Sequence, residues 1–116
     1  MEIKKLTDIE PTRFDSDTVK GVAGRVLIGK ADGAENFCMR LFELSKNGFS
    51  PRHTHDWEHE IFIYSGKGSV FRSREWIPLE PGCAVFIPGN EEHQMKNTGD
   101  EPFRFICIIP AGPPEL

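Results

Sequence analysis

The sequence predicts an all-β, single-domain barrel, and three observations lead there. Short apolar runs follow one another from Arg25 onward, each separated from the next by residues that turn the chain. No helical period of apolar residues persists beyond a turn or two. Nine prolines are scattered through 116 residues, a distribution that works against long helices.

Taken in order, residues 1–20 are polar, contain Pro11, and read as an N-terminal arm or edge strand; residues 21–116 read as the barrel. The strand-like runs are Arg25–Ile28, Phe37–Leu44, Arg52–His55, Glu60–Tyr64, Ser69–Phe71, Glu75–Leu79, Ala84–Ile87, Gln94–Asn97 and Phe103–Ile109. Between them fall Asp32-Gly33, Asn47-Gly48, Gly66-Lys67-Gly68, Pro81-Gly82, Pro88-Gly89-Asn90 and Thr98-Gly99-Asp100. Glycine and asparagine tolerate positive φ and proline pre-sets its own, so each break has a mechanism. Nine short strands at this spacing suit a sandwich or barrel. Phe37, Met39, Leu41, Phe62, Val85 and Ile87 are the expected core.

Composition narrows the function. A net charge of −4 and no visible basic patch argue against nucleic acid. The longest apolar runs are too short to span a bilayer, and the mixed-charge start Met1-Glu2-Ile3-Lys4-Lys5-Leu6 lacks the apolar segment of a signal peptide, so a cytoplasmic location is expected. Three cysteines, Cys38, Cys83 and Cys107, form no Cys-x-x-Cys pair, which fits reduced thiols better than a disulfide or zinc-ribbon framework.

The chemistry concentrates in four histidines. Three fall within seven residues, His53-Thr54-His55-Asp56-Trp57-Glu58-His59. In a strand, residues i and i+2 share a face, so His53 and His55 project together. His59 follows a short polar turn and opens the next run. His93 follows Pro88-Gly89-Asn90 and must come from a neighbouring strand.

With those spacings the chain resembles the cupin superfamily. The family's first motif, Gly-x5-His-x-His-x(3 or 4)-Glu-x6-Gly, is matched from Asn47 through His53, His55 and His59 to Gly66. The second, Gly-x5-Pro-x-Gly-x2-His-x3-Asn, reads here as Gly82, Pro88, Asn90, His93 and Asn97. Asparagine stands for glycine at 47 and 90, and asparagine is the non-glycine residue most tolerant of positive φ. The family's metal-binding glutamate has two candidates, His59 and Glu60. The spacing to Gly66 favours His59, and a one-residue slip would turn the side chain to the other face, leaving Glu60 as the alternative ligand.

The stretch Arg52 to Phe62, together with Arg25–Gly29 and Phe105–Pro110, is similar to the small bacterial four-histidine manganese cupins. The resemblance implies a jelly-roll (double-stranded β-helix) barrel, a homodimer, and a redox-active divalent metal held by His53, His55, His59 and His93. Mn(II) is expected first, with Fe(II), Ni(II), Cu(II) or Zn(II) as other occupants. Four neutral ligands leave the ion's charge uncancelled, and a six-coordinate ion would keep two positions open. In the look-alike subgroup the phenylalanine and cysteine matching Phe105 and Cys107 lie near the metal. Both share one face of the last run with Ile109. Trp57 could shield the site or form part of the dimer surface, and Arg40 and Arg52 could pair with a substrate carboxylate.

Three functions compete. The first is an oxygenase-type redox enzyme acting on a small organic molecule. The second is a non-redox isomerase or lyase, which would need Glu60 or Glu58 as general base because the histidines are spent on the metal. The third is a non-catalytic small-molecule-binding barrel.

Overall fold

A computed structural model describes residues 1–116. It is all-β, with no α-helix and two single 3-10 turns, Leu6–Asp8 and Lys30–Asp32. The strands are β1 (Thr12–Phe14), β2 (Lys20–Ile28), β3 (Phe37–Phe49), β4 (His59–Ser65), β5 (Gly68–Arg72), β6 (Glu75–Leu79), β7 (Ala84–Ile87), β8 (Gln94–Asn97) and β9 (Phe103–Pro110). They form one curled sheet ordered β6-β5-β8-β3-β9-β4-β7, with β2 also on β3 and β1 on β2. Every neighbouring pair is antiparallel. No helix is long and apolar enough to cross a membrane.

The curl has a local cause in β3. Residues Phe37–Leu44 pair with β9, whereas Phe49 pairs with Lys96 of β8. Opposite β2 the register jumps from Val22↔Leu44 to Lys20↔Phe49, so β3 spends more residues than its partner. Asn47 absorbs this bulge at φ 65°. Gly48 is required there, since a Cβ would sit 2.7 Å from the Ser45 carbonyl oxygen. The sequence marks Asn47-Gly48 as a break between strands. The chain instead bends through it as one strand, because the bulge lets β3 pass from one half of the barrel to the other.

Alternation sets what lies inside. Along β9, Phe103, Phe105, Cys107 and Ile109 are buried while the residues between them are half-buried. Along β4, His59, Ile61 and Ile63 are buried and Glu60, Phe62 and Tyr64 are exposed. Leu44, Ile63 and Phe103 are completely covered and anchor the core. The last asparagine of the histidine motifs is structural. Asn97 donates to the Leu44 and Glu101 carbonyls, both at 2.9 Å, and accepts from the Gly99 amide at 2.8 Å.

Half of the expected core is corrected. Leu41 and Ile87 are buried and Val85 packs half-buried against the core, but Phe37, Met39 and Phe62 are exposed. Strand parity explains this. Cys38 and Arg40 take the inward positions of β3, and His59 and Ile61 take those of β4, so the intervening aromatic and methionine side chains face out.

Candidate functional site

The His53–His55 segment is not a strand. Only His53 makes a β-bridge, exchanging both backbone hydrogen bonds with His93 at 3.1 and 3.0 Å. That bridge extends the β3–β8 pairing past Phe49, and directly opposed residues project to one face. His55 sits in the following loop, held where its carbonyl accepts from the Asn90 amide at 2.6 Å. Asn90 has φ 68°, and Gly89 lies so close to the Asp56 carbonyl oxygen that a Cβ would stand 2.6 Å from it. The Pro88-Gly89-Asn90 turn is therefore a brace for the histidine loop. His59 opens β4 opposite Ile87, with its side chain inward.

These elements bring all four rings together. Five of the six ring pairs have centroids 4.6–5.1 Å apart, the exception being His53 with His59. His55 Nε2 lies 2.8 Å from His59 Nε2, and His53 Nε2 lies 3.1 Å from His93 Nε2. The ring nitrogens of His53, His55 and His93 all fall within 4.8 Å of one another, and His59 joins the group through His55. The outer nitrogens explain the orientation. His55 Nδ1 is 3.0 Å from the Trp57 carbonyl oxygen, and His93 Nδ1 is 2.9 Å from that of Glu91. A carbonyl only accepts, so both Nδ1 atoms carry the proton and both Nε2 lone pairs face the centre. Trp57 stacks flat on His55, with centroids 4.0 Å apart and an interplanar angle of 4°.

His59 is held differently. Its Nδ1 faces two side chains, Cys107 Sγ at 3.1 Å and Arg40 Nη2 at 3.3 Å, and Arg40 Nη2 also donates to Cys107 Sγ at 2.9 Å. Burial and the neighbouring rings depress the imidazoles: His59 is pushed down to about 3 and the more open His53 to about 4, and His93 is lowered as well. At neutral pH they are uncharged, as metal ligands must be. Burial raises the Cys107 thiol, partly offset by Arg40, so it stays protonated.

The cluster fits a metal ion. Two nitrogens about 2.1 Å from a common ion, at a right angle to one another, would be ~3 Å apart, and the short Nε2–Nε2 separations have that size. Neutral imidazoles with their outer nitrogens fixed are the donor set of such a centre. His53, His59 and His93 open onto a cavity of about 220 Å³. Its walls include Phe14, Val19, Phe42, Ile61, Met95 and Phe105, and no aspartate, glutamate or lysine lines it.

The other expected residues separate cleanly. Phe105 and Cys107 line the cavity beside His59. Glu60 lies on the outer face and is exposed, as is Glu58 in the loop. Arg52 stays at the surface, bonded to Gln94 and packed 3.9 Å over the Phe71 ring. Arg40 is inside. Its link to His59 could not be read along the chain, because it depends on β3–β9 register setting Arg40 opposite Cys107.

The cupin-domain family pattern matches residues 40–109. The chain belongs to the cupin family. The glucose-6-phosphate isomerase of Thermococcus onnurineus is 36% identical over 92 residues, covering 69% of this chain and 49% of that protein. The 1-methylthio-D-xylulose 5-phosphate methylsulfurylase of Rhodospirillum rubrum is 32% identical over 73 residues, covering 63% and 47%. The chain thus spans about half the length of the curated relatives it matches. Among solved structures, the polyketide cyclase RemF from Streptomyces resistomycificus superposes with a TM-score of 0.91 at 32% identity, over 98% of this chain and 82% of that one. This cupin therefore shares its barrel with proteins named for different reactions. Its fold and histidine cluster together suggest metal binding.

Proposed function

We propose that His53, His55, His59 and His93 hold one divalent transition-metal ion, Mn(II) foremost, and that this cupin is an oxygenase-type redox enzyme for a small, largely apolar organic molecule. The observation that carries the reading is the imidazole cluster, three of whose rings open onto an apolar cavity with no aspartate or glutamate in its wall. An isomerase moving protons between carbons is served best by a side-chain base at the substrate. Glu58 and Glu60, the two candidates, face away from the cavity. Bound, a manganese or iron ion would supply electron transfer with dioxygen as the oxidant. The protein's part is to fix the imidazole orientations through the Trp57 and Glu91 carbonyls, and to exclude water with the apolar wall. A six-coordinate ion held by the four imidazoles would keep two positions for substrate and oxidant.

A second reading is favoured by the likeness to the polyketide cyclase: non-redox ring closure or isomerisation of a carbonyl compound, with the ion as Lewis acid. Sugar-phosphate isomerisation has less support, because Arg40 is the single permanently cationic side chain of the cavity wall. The test is to load the protein with Mn(II), Fe(II) or Zn(II), offer dioxygen with a panel of enolisable diketones and aromatic enols, and follow oxygen uptake and products. Uptake with manganese or iron and none with zinc is expected. Equal conversion with zinc, without oxygen uptake, would replace the first reading by the second.

A homodimer is part of the same proposal. The outer face of β3, β4, β7 and β9 presents Phe37, Met39, Phe62 and Phe86, which are 68%, 36%, 49% and 57% exposed. A largely apolar sheet face of this kind, interrupted by Glu60 between Ile108 and Phe86, suits a second copy of the chain.

A further inference from the structure

Arg40 is a buried cation with no carboxylate at ion-pair distance. It is 6% exposed. Its hydrogen-bond acceptors are all neutral: the Cys107 thiol sulfur at 2.9 Å, His59 Nδ1 at 3.3 Å, and the Glu115 main-chain carbonyl, which accepts from Nη1 at 3.3 Å. Its Nε is buried with no partner, and the guanidinium stands 4.9 Å over the Phe42 ring. None of the three ion pairs in the protein includes it. A guanidinium this deep is costly unless an anion compensates it, and an orphaned buried donor adds to that cost. No side chain of the cavity wall supplies a negative charge, while the neighbouring histidine cluster is built to concentrate positive charge.

We infer that the missing anion is the ligand's, so that Arg40 determines specificity for a small apolar molecule carrying one anionic oxygen, a carboxylate or an enolate. The inference deepens the proposed function and rests on it only for the reaction, since the guanidinium and its unmatched charge are features of the chain alone. The longest of its hydrogen bonds include the one to the Glu115 carbonyl, a neutral acceptor that a ligand oxygen can replace on Nη1. The rest of the ligand meets Phe14, Val19, Phe42 and Leu116, which recognise an aromatic or alkyl body rather than a sugar. A phosphate dianion is a poorer match for a single guanidinium that already serves Cys107 and His59.

The experiment is calorimetric titration of the zinc-loaded protein, which cannot turn over by a redox route, with benzoate, its neutral isostere benzamide, and phenyl phosphate. The same titrations on chelator-treated protein remove the metal's own affinity for carboxylate. Benzoate is expected to bind at least tenfold more tightly than benzamide in both forms, and phenyl phosphate more weakly than benzoate. Arg40→Met should abolish the preference while leaving benzamide binding and zinc stoichiometry unchanged, and Arg40→Lys should restore part of it. Equal binding of benzoate and benzamide by the unmodified metal-free protein overturns the inference without recourse to any variant. So does stronger binding of phenyl phosphate, a preference retained in Arg40→Met, or a loss of zinc in Arg40→Met that Arg40→Lys restores without the preference, which would make Arg40 only a positioning residue for His59. Failure of oxygen uptake with manganese or iron would leave these binding results untouched, so the two readings fail separately.

Discussion

The two ends of the barrel are built on opposite terms. At the closed end, Leu44, Ile63 and Phe103 are fully covered, and the one buried polar side chain that ties the turns there, Asn97, satisfies both of its functional groups. At the open end the same strands carry His59, Arg40 and Cys107 inward, and the orphaned buried donor there belongs to a cation, Arg40 Nε, whereas the orphan beside Phe103 is the neutral Ser65 hydroxyl. The same inward register thus builds a core at one end and a site at the other. The lesson is that stability and function are divided along the strands, with the boundary near Phe105, which packs 5.4 Å from Phe103 on one side and lines the cavity on the other.

This division can be broken from either side. The largest stability effect is expected at the closed end. Phe103→Ala should cost about 3–5 kcal/mol in a urea titration, with the folded fraction still binding one metal per chain. Gly68→Ala is the next step down. Its Cβ would run into the Phe103 ring and within 2.6 Å of the Lys96 carbonyl, so roughly 1–3 kcal/mol should be lost to overpacking. The open end should behave in reverse. Removing an imidazole with His93→Ala is expected to abolish stoichiometric metal binding while changing the stability of the metal-free protein far less than Phe103→Ala does.

Acid should sharpen the contrast further. His59 and His53 have folded pKa values of about 3 and 4, below the ordinary histidine value of 6.5, so the unfolded chain binds more protons as pH falls from 6.5 toward those values. The stability that the neutral cluster contributes is complete above about pH 6.5 and drains away as pH drops toward 4. Thermal melts of chelator-treated protein should therefore show a falling Tm across that window. The slope should shrink in His59→Phe, and a pH-independent Tm would contradict the account. The smallest effect is expected on the outer face, where Phe62→Glu should shift the protein toward monomer in sedimentation with little change in metal content.

The sequence made the strands legible wherever an apolar run was bounded by turn residues: β6, β7 and β8 begin and end where the runs do. Two places escaped it for physical reasons. Asn47 was readable as a positive-φ residue, but φ alone does not distinguish a hairpin turn from a bulge inside a long strand. Phe37, Met39 and Phe62 look like core by hydrophobicity, and only the parity imposed by His59 and Arg40 turns them outward. The histidines were legible because the spacing around His53, His55 and His59 is dictated by one loop and one strand start. The Arg40–Cys107–His59 contact was not, since it joins three strands whose register is a property of the folded sheet.

The central claim, that four imidazoles form one metal centre, is most directly tested by metal analysis combined with X-ray absorption at the metal edge of manganese-loaded protein. The account predicts one ion per chain with a first shell of four imidazole nitrogens. A shell containing the Cys107 sulfur or a side-chain carboxylate, or three imidazoles with His59 remaining hydrogen-bonded to Arg40 and Cys107, would contradict it.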